Sequence, residues 1–317
     1  MPRLLPAAVL GALVLSSPAA FACSSCGCTL SSDWDSQGFA THSGFRADLR
    51  YDFIDQSQLR SGTDAVHRRD FPLPQEREIE DRTINRYTTL GLDYSPSAAW
   101  GVNVQLPWIN RSHATYPEGE TTRSSSHSDS LGDVRVLARY QGFDAQHDTG
   151  LQFGLKLPTG RHDVRFASGT EAGEPLDRGL QPGSGTTDLL LGAYRFGTLN
   201  QNWDWFGQAL LQAALDSSDD YRTGASVNLN GGLRYMAHPR VTPQLQLNLR
   251  TARRDSGDEA DTENSGGTLL DLSPGVSVQI NDGLHAYAFV QLPLYQRVNG
   301  LQLAPRWTAS IGIHYAF

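Results

Sequence analysis

The chain has 317 residues, 39% of them hydrophobic and 19% charged, and its 26 basic and 34 acidic residues leave a formal charge of −8. No run approaches the roughly 18 apolar residues that a spanning helix needs, which excludes a helical membrane protein. The basic residues are nearly all Arg, Lys156 being the only lysine, and they form no basic face of the kind that neutralises phosphates. A nucleic-acid partner is therefore not expected.

Residues 1–22 read as a cleaved secretory signal peptide: Arg3, an apolar stretch over 4–15, then small residues ending in Ala20-Phe21-Ala22. The expected mature chain starts at Cys23 in an oxidising compartment. Residues 23–41 are expected to be a periplasmic segment, and they carry every cysteine of the chain, in Cys23-Ser24-Ser25-Cys26-Gly27-Cys28. Such density admits three readings. One is a disulfide within the cluster that leaves a third thiol over. Another is a copper or zinc site on Cys23, Cys26 and Cys28, although three ligands leave a tetrahedral zinc incomplete. The third is lipidation of Cys23.

From residue 42 to 317 the helical period is almost absent, and segments of about ten residues alternate polar with apolar between turn residues, which predicts an all-β, transmembrane antiparallel β-barrel. Twelve segments are expected, at about 43–54, 83–95, 99–110, 131–141, 149–159, 185–196, 203–215, 222–236, 240–251, 268–280, 284–296 and 302–317. Their connections are mostly long and short in turn, the long ones at about 55–82, 111–130, 160–184 and 252–267. Short turns face the periplasm in such barrels, so both termini are expected there. The last segment sets Trp307, Ala309, Ile311, Ile313, Tyr315 and Phe317 on one face and ends in an aromatic. That ending resembles the signal read by the barrel-assembly machinery of the bacterial outer membrane, whose lipids the apolar face would meet.

Tyr94, Tyr140, Tyr194, Tyr235 and Tyr315 close the downward segments and predict a periplasmic aromatic girdle. Gln105-Leu106-Pro107, Lys156-Leu157-Pro158 and Gln291-Leu292-Pro293 share a pattern in which Pro, lacking a ladder donor, marks the end of pairing.

With the apolar faces assigned to lipid, the inner set is polar and often charged. It comprises Arg46, Asp48, Arg50, Asp133, Arg135, Arg139, Lys156, Gln244, Gln246, Arg250, Tyr287, Gln291 and Arg306, with Phe289 and Tyr295 beside Tyr287 on the eleventh segment. These residues fit either a narrow channel for small solutes or a wall of ion pairs that lets nothing through. No Ser-His-acid trio emerges from the spacing, so an enzyme is not expected. His67, His113, His127 and His162 are expected in solvated outer loops, as is the acidic stretch 255–263, while His285 and His314 lie on facing inner positions.

Three fragments carry a family resemblance: Gly132-Asp133-Val134, Leu155-Lys156-Leu157-Pro158-Thr159-Gly160, and Pro182-Gly183-Ser184-Gly185-Thr186-Thr187-Asp188 before Leu189-Leu190-Leu191-Gly192. Together they resemble the outer-membrane transporter-like proteins of the meta-pathway of phenol degradation, over roughly residues 84–317. The resemblance implies passage of small apolar or aromatic compounds across the outer membrane. The fragments mark turns and strand ends, so they transfer fold better than substrate, and no ligand residues are carried over.

Overall fold

The computed structural model describes residues 43–317. The expected signal peptide and the expected cysteine-bearing segment, with Cys23, Cys26 and Cys28, lie outside the described residues. Twelve antiparallel strands close into a barrel: β1 (Gly44–Ser61), β2 (Ile79–Ser95), β3 (Trp100–Tyr116), β4 in two pieces (Ser124–Leu131 and Val134–Tyr140), β5 (Thr149–Leu157), β6 (Asp188–Asn200), β7 (Trp203–Ala214), β8 (Ser226–Tyr235), β9 (Val241–Ala252), β10 (Gly267–Gln279), β11 (Leu284–Val298) and β12 (Leu301–Ala316). Neighbours in sequence are neighbours in the sheet, and β12 pairs with β1 from Arg46↔Ala316 to Ser61↔Leu301. Closure leaves no strand edge to be satisfied by lipid. Among the described residues the only helical pieces are 3-10 turns at Arg68–Asp70 and Arg178–Leu180, and no helix is long and apolar enough to cross a membrane.

Side-chain alternation decides the two faces. Along β9, Leu245 and Leu247 are exposed while Gln244, Gln246 and Asn248 are buried. Along β1, Leu49 and Tyr51 are exposed while Arg46 and Asp52 are buried. An apolar exterior around a polar interior inverts a soluble core and suits hydrocarbon outside.

At the rim with the short turns, Phe45 stacks on Tyr94 at 4.3 Å, Trp100 leans on Tyr140 at 4.8 Å, Trp203 on Tyr235 at 4.9 Å, and Tyr315 meets Phe317 edge-on at 4.7 Å. Four of the five girdle tyrosines thus stand among rim aromatics. Tyr194 does not: it shares the inward register of Asp188 and Leu190, is buried, and donates to Gln141 Oε1.

The strands at the opposite rim run further than the alternation predicts. The connections expected at 55–82 and 111–130 shrink to 62–78 and 117–123. The added ladder is polar on both faces, as in Ser124–Leu131, whose inward Ser124, Ser126, Ser128 and Ser130 are buried. Such a strand carries no apolar alternation to detect, yet its backbone pairs with β3 from Thr115↔Ser124 to Trp108↔Leu131.

Two bulges correct two further expectations. β1 passes from Asp55↔Trp307 to Gln56↔Pro305, so Arg306 is the extra residue and is exposed rather than inward. β10 passes from Leu270↔Tyr295 to Asp271↔Pro293, so Leu294 is the extra residue; beyond it Tyr295 turns outward and Gln296 inward. The Pro expectation holds on one side of β3: Pro107 pairs with Thr89, while opposite it β4 is interrupted at 132–133.

Large inward side chains lie over glycines of adjacent strands. Tyr287 covers Gly312, Phe289 covers Gly275, Phe206 covers Gly232 and Tyr194 covers Gly150. A Cβ at Gly275 would overlap the Phe289 ring. Replacing Gly275 by Val is expected to cost about 1–3 kcal/mol through overpacking. A lowered urea midpoint in the micelle-folded barrel would register this, and an unchanged midpoint would refute the packing argument.

Candidate functional site

The interior is organised in three tiers. At the short-turn end Asp93 binds two guanidinium groups, accepting from Arg46 Nη1 at 2.7 Å and from Arg139 Nη1 at 2.5 Å, with Ser95 Oγ bound to both arginines. Nearby, Tyr287 donates to Asp48 at 2.9 Å, Arg50 pairs with Asp52 at 2.9 Å, and Ser310 donates to Asp52 at 2.6 Å. His285 and His314 face each other across β11 and β12 with ring centroids 6.2 Å apart. Gln244 donates to Ser277 Oγ at 3.2 Å, and Gln246 and Gln291 are buried in the wall.

The second tier is a cavity of about 420 Å³. Of the described residues that line it, eight are Arg or Lys, eight are Asn or Gln, and two are Asp. Arg50, Asp133, Arg135, Arg139, Lys156 and Arg250 are among them, and Arg306 is not.

The third tier is the connection between β5 and β6, which folds inward. Val164, Phe166, Leu176 and Leu180 form a small apolar core of its own. The buried Gln181 clips it, donating to the Val164 and Leu176 carbonyls at 3.0 and 2.7 Å and accepting from Val164 N at 2.9 Å. Arg111 fastens the segment to the wall: it donates to the Leu180 carbonyl, to Tyr87 at 2.9 Å and to Asn85.

The neck of this segment is one polar knot. Lys156 Nζ lies 3.2 Å from Asp133 Oδ2 and 3.1 Å from Asp188 Oδ2, and donates to Ser184 Oγ. Asp133 accepts from the backbone N–H of Gly160 at 3.0 Å and of Ser184 at 2.9 Å. Gly160 and Gly183 cross so closely that a Cβ on Gly183 would overlap the Gly160 carbonyl. Thr159 Oγ1 accepts from Val134 N at 2.9 Å and donates to the Gly132 carbonyl at 3.0 Å. The three fragments singled out in the sequence therefore meet at one place.

Alternation continued past residue 110 would have found Arg111, because Asn103, Gln105, Ile109 and Arg111 share one parity and line the cavity together. Asp93 was missed because its segment was read for its aromatic ending. Arg178 and Gln181 carry no periodic signal, since they act from a folded connection. His113 is buried in β3 and bonded to Thr83 Oγ1 at 2.8 Å, so it is not a solvated loop residue. The acidic stretch also folds inward: Asp255 and Asp261 are buried, Asp255 accepting from Tyr221 at 2.9 Å and Gly224 N at 2.7 Å. Among the described residues no group of three or more His, Cys, Asp or Glu is placed to hold a metal ion.

This is the architecture of outer-membrane β-barrels. No family model and no curated protein matches the chain. The structure is similar to an outer-membrane channel from Pseudomonas putida F1, with a TM-score of 0.63 and 13% identity over 88% of this chain and 97% of that one. The translocator domain of the autotransporter NalP from Neisseria meningitidis gives 0.48 and 12%, over 89% and 92%. CymD, a monoaromatic hydrocarbon channel, gives 0.47 and 12%, over 89% and 90%. At 13% identity the likeness to the Pseudomonas putida channel is one of fold.

Replacing Lys156 by Met would leave Asp133 and Asp188 as buried carboxylates without their cation, at a cost of about 3–5 kcal/mol. Lys156→Arg is expected to recover only part of it, because a planar fork cannot take the place of a compact ammonium between these two carboxylates. Urea midpoints of the two variants test both statements.

Proposed function

We propose that the chain is a channel of the bacterial outer membrane for passive passage of small solutes. The observation that carries this reading is the polar cavity inside a closed barrel whose outer face is apolar. A purely structural barrel of this width would fill its middle with side chains, as the aromatics over glycines do near the short-turn end. The fold shared with the Pseudomonas putida channel supports the same reading. The resemblance to the meta-pathway proteins suggests small apolar or aromatic compounds as cargo. In the proposed orientation the short turns and both termini face the periplasm, the inward-folded connection faces outward, and Phe317 ends the strand read by the assembly machinery.

The connection between β5 and β6 then acts as the constriction. Its attachment through Arg111 and its own apolar core hold it in the lumen. A solute moves past it when the segment shifts within the barrel, while the ion-paired wall keeps its shape.

Burial holds the Asp177 carboxyl well above the usual carboxylate range; the Gly179 N–H opposes this, and the charges of Glu78, Asp261 and Asp255 add to it. Burial likewise raises Asp255 and Asp261. A raised acid stabilises the packed connections fully below its unfolded pKa, and that contribution is lost as pH rises through the raised value. Acid therefore favours the closed arrangement.

Purified mature protein in a planar bilayer is expected to show discrete conductance steps, with the open fraction falling as pH drops from neutral into the raised carboxylate range. A closed barrel under all conditions would overturn the channel reading. Arg111→Gln removes a charged hydrogen bond to the constriction, worth about 1.5–3 kcal/mol, and is expected to raise the open-to-closed ratio about tenfold or more in the same recordings.

A further inference from the structure

We propose that the lumen contains a binding site for small organic anions, with Arg135 taking the oxyanion head group. The inference deepens the channel reading and rests on it. Composition points the other way, since the chain as a whole carries −8, yet the cavity lining has eight cations and two acids among the described residues.

Part of that positive charge is spent within the wall. Lys156 is held by Asp133 and Asp188, Arg139 by Asp93, and Arg50 by Asp52, while Arg178 lies 3.6 Å from Asp219. Arg111 and Arg135 differ. Among the described residues no carboxylate lies within 4.0 Å of either. Arg111 spends its donors on Asn85, Tyr87 and the Leu180 carbonyl. Among the described residues Arg135 makes one long hydrogen bond, to Gln212 Oε1 at 3.4 Å, and the charges acting on it are those of Arg250 and Arg50, opposed by those of Asp188 and Asp133.

A guanidinium that lines a cavity, with no carboxylate in contact and one long hydrogen bond, keeps donors free for an anion that enters it. Its planar fork matches the two oxygens of a carboxylate or a phosphoryl group. The amides of Gln152, Gln208 and Asn230 offer both donors and acceptors for orientation. A volume of about 420 Å³ holds a single-ring organic acid, and a charged ring of this kind is how pores select by sign.

The test holds size constant and varies charge. Benzoate, phenyl phosphate, benzamide and benzylammonium are presented to the bilayer-reconstituted barrel, and reversal potentials are recorded in a potassium chloride gradient. Calorimetric titration of the micelle-folded protein runs in parallel. The expected result is anion selectivity, with benzoate or phenyl phosphate blocking or permeating at concentrations about tenfold below benzamide. Arg135→Gln should remove that margin. Arg135→Lys should keep the chloride preference and lose most of the benzoate affinity, and it serves in place of Arg135→Gln if the latter fails to give the heat-modifiable band of a folded barrel. The ranking of benzoate against phenyl phosphate assigns the head group.

A conducting pore that treats all four probes alike, or prefers the cation, would overturn the anion site and leave the channel standing. Benzoate binding abolished in Arg135→Gln, without conductance, would uphold the site and sink the passage reading. Absence of both conductance and binding would overturn the two together.

Discussion

A single ammonium group, that of Lys156, lies buried between two aspartates of the barrel wall. Lys156 projects from β5, Asp133 from the break in β4 and Asp188 from the start of β6, so one charge ties three neighbouring strands. The same Asp133 accepts backbone N–H groups from both legs of the connection that enters the lumen. Barrel wall and inward-folded connection thus share one anchor. A compact ammonium with three donors can reach both carboxylates and Ser184, which a planar fork cannot do from the same stem.

Around that anchor the interior divides by chemistry. Near the short-turn end, aromatic rings over glycines and the Asp93 pairs fill space and neutralise charge, so this part of the lumen behaves as a wall. In the middle, guanidinium and amide groups face open volume. At the far end, carboxyl groups that burial keeps prone to protonation hold the connections together. The lining of the cavity is thus richer in cations than the chain as a whole, although several of those cations are paired with aspartates of the wall.

Much of this was legible in the residues, and the failures have physical causes. Strand number and lipid face follow from a period of two, which lipid on one side and water on the other enforce. The same rule is blind above the hydrocarbon, where Ser124–Leu131 pairs without apolar alternation, and it slips by one residue at each bulge, as Arg306 and Tyr295 show. The inner residues of β1 and β9 could be named because each follows its strand's parity. Arg178 and Gln181 could not, because a folded connection places its side chains by its own small core and not by the sheet. The repeated glycine fragments were readable as turns, but only the fold brings them to one knot.

That knot has a consequence for how such a barrel changes over time. Gly160 and Gly183 touch backbone to backbone, and Gly183 N donates to the Arg161 carbonyl at 2.8 Å, so the two legs of the connection leave the wall at one point. The segment between them carries its own apolar cluster and its own Gln181 clip. Its ends adjoin, so a change in its length is absorbed between two neighbouring points of the wall rather than passed into the register of β5 and β6.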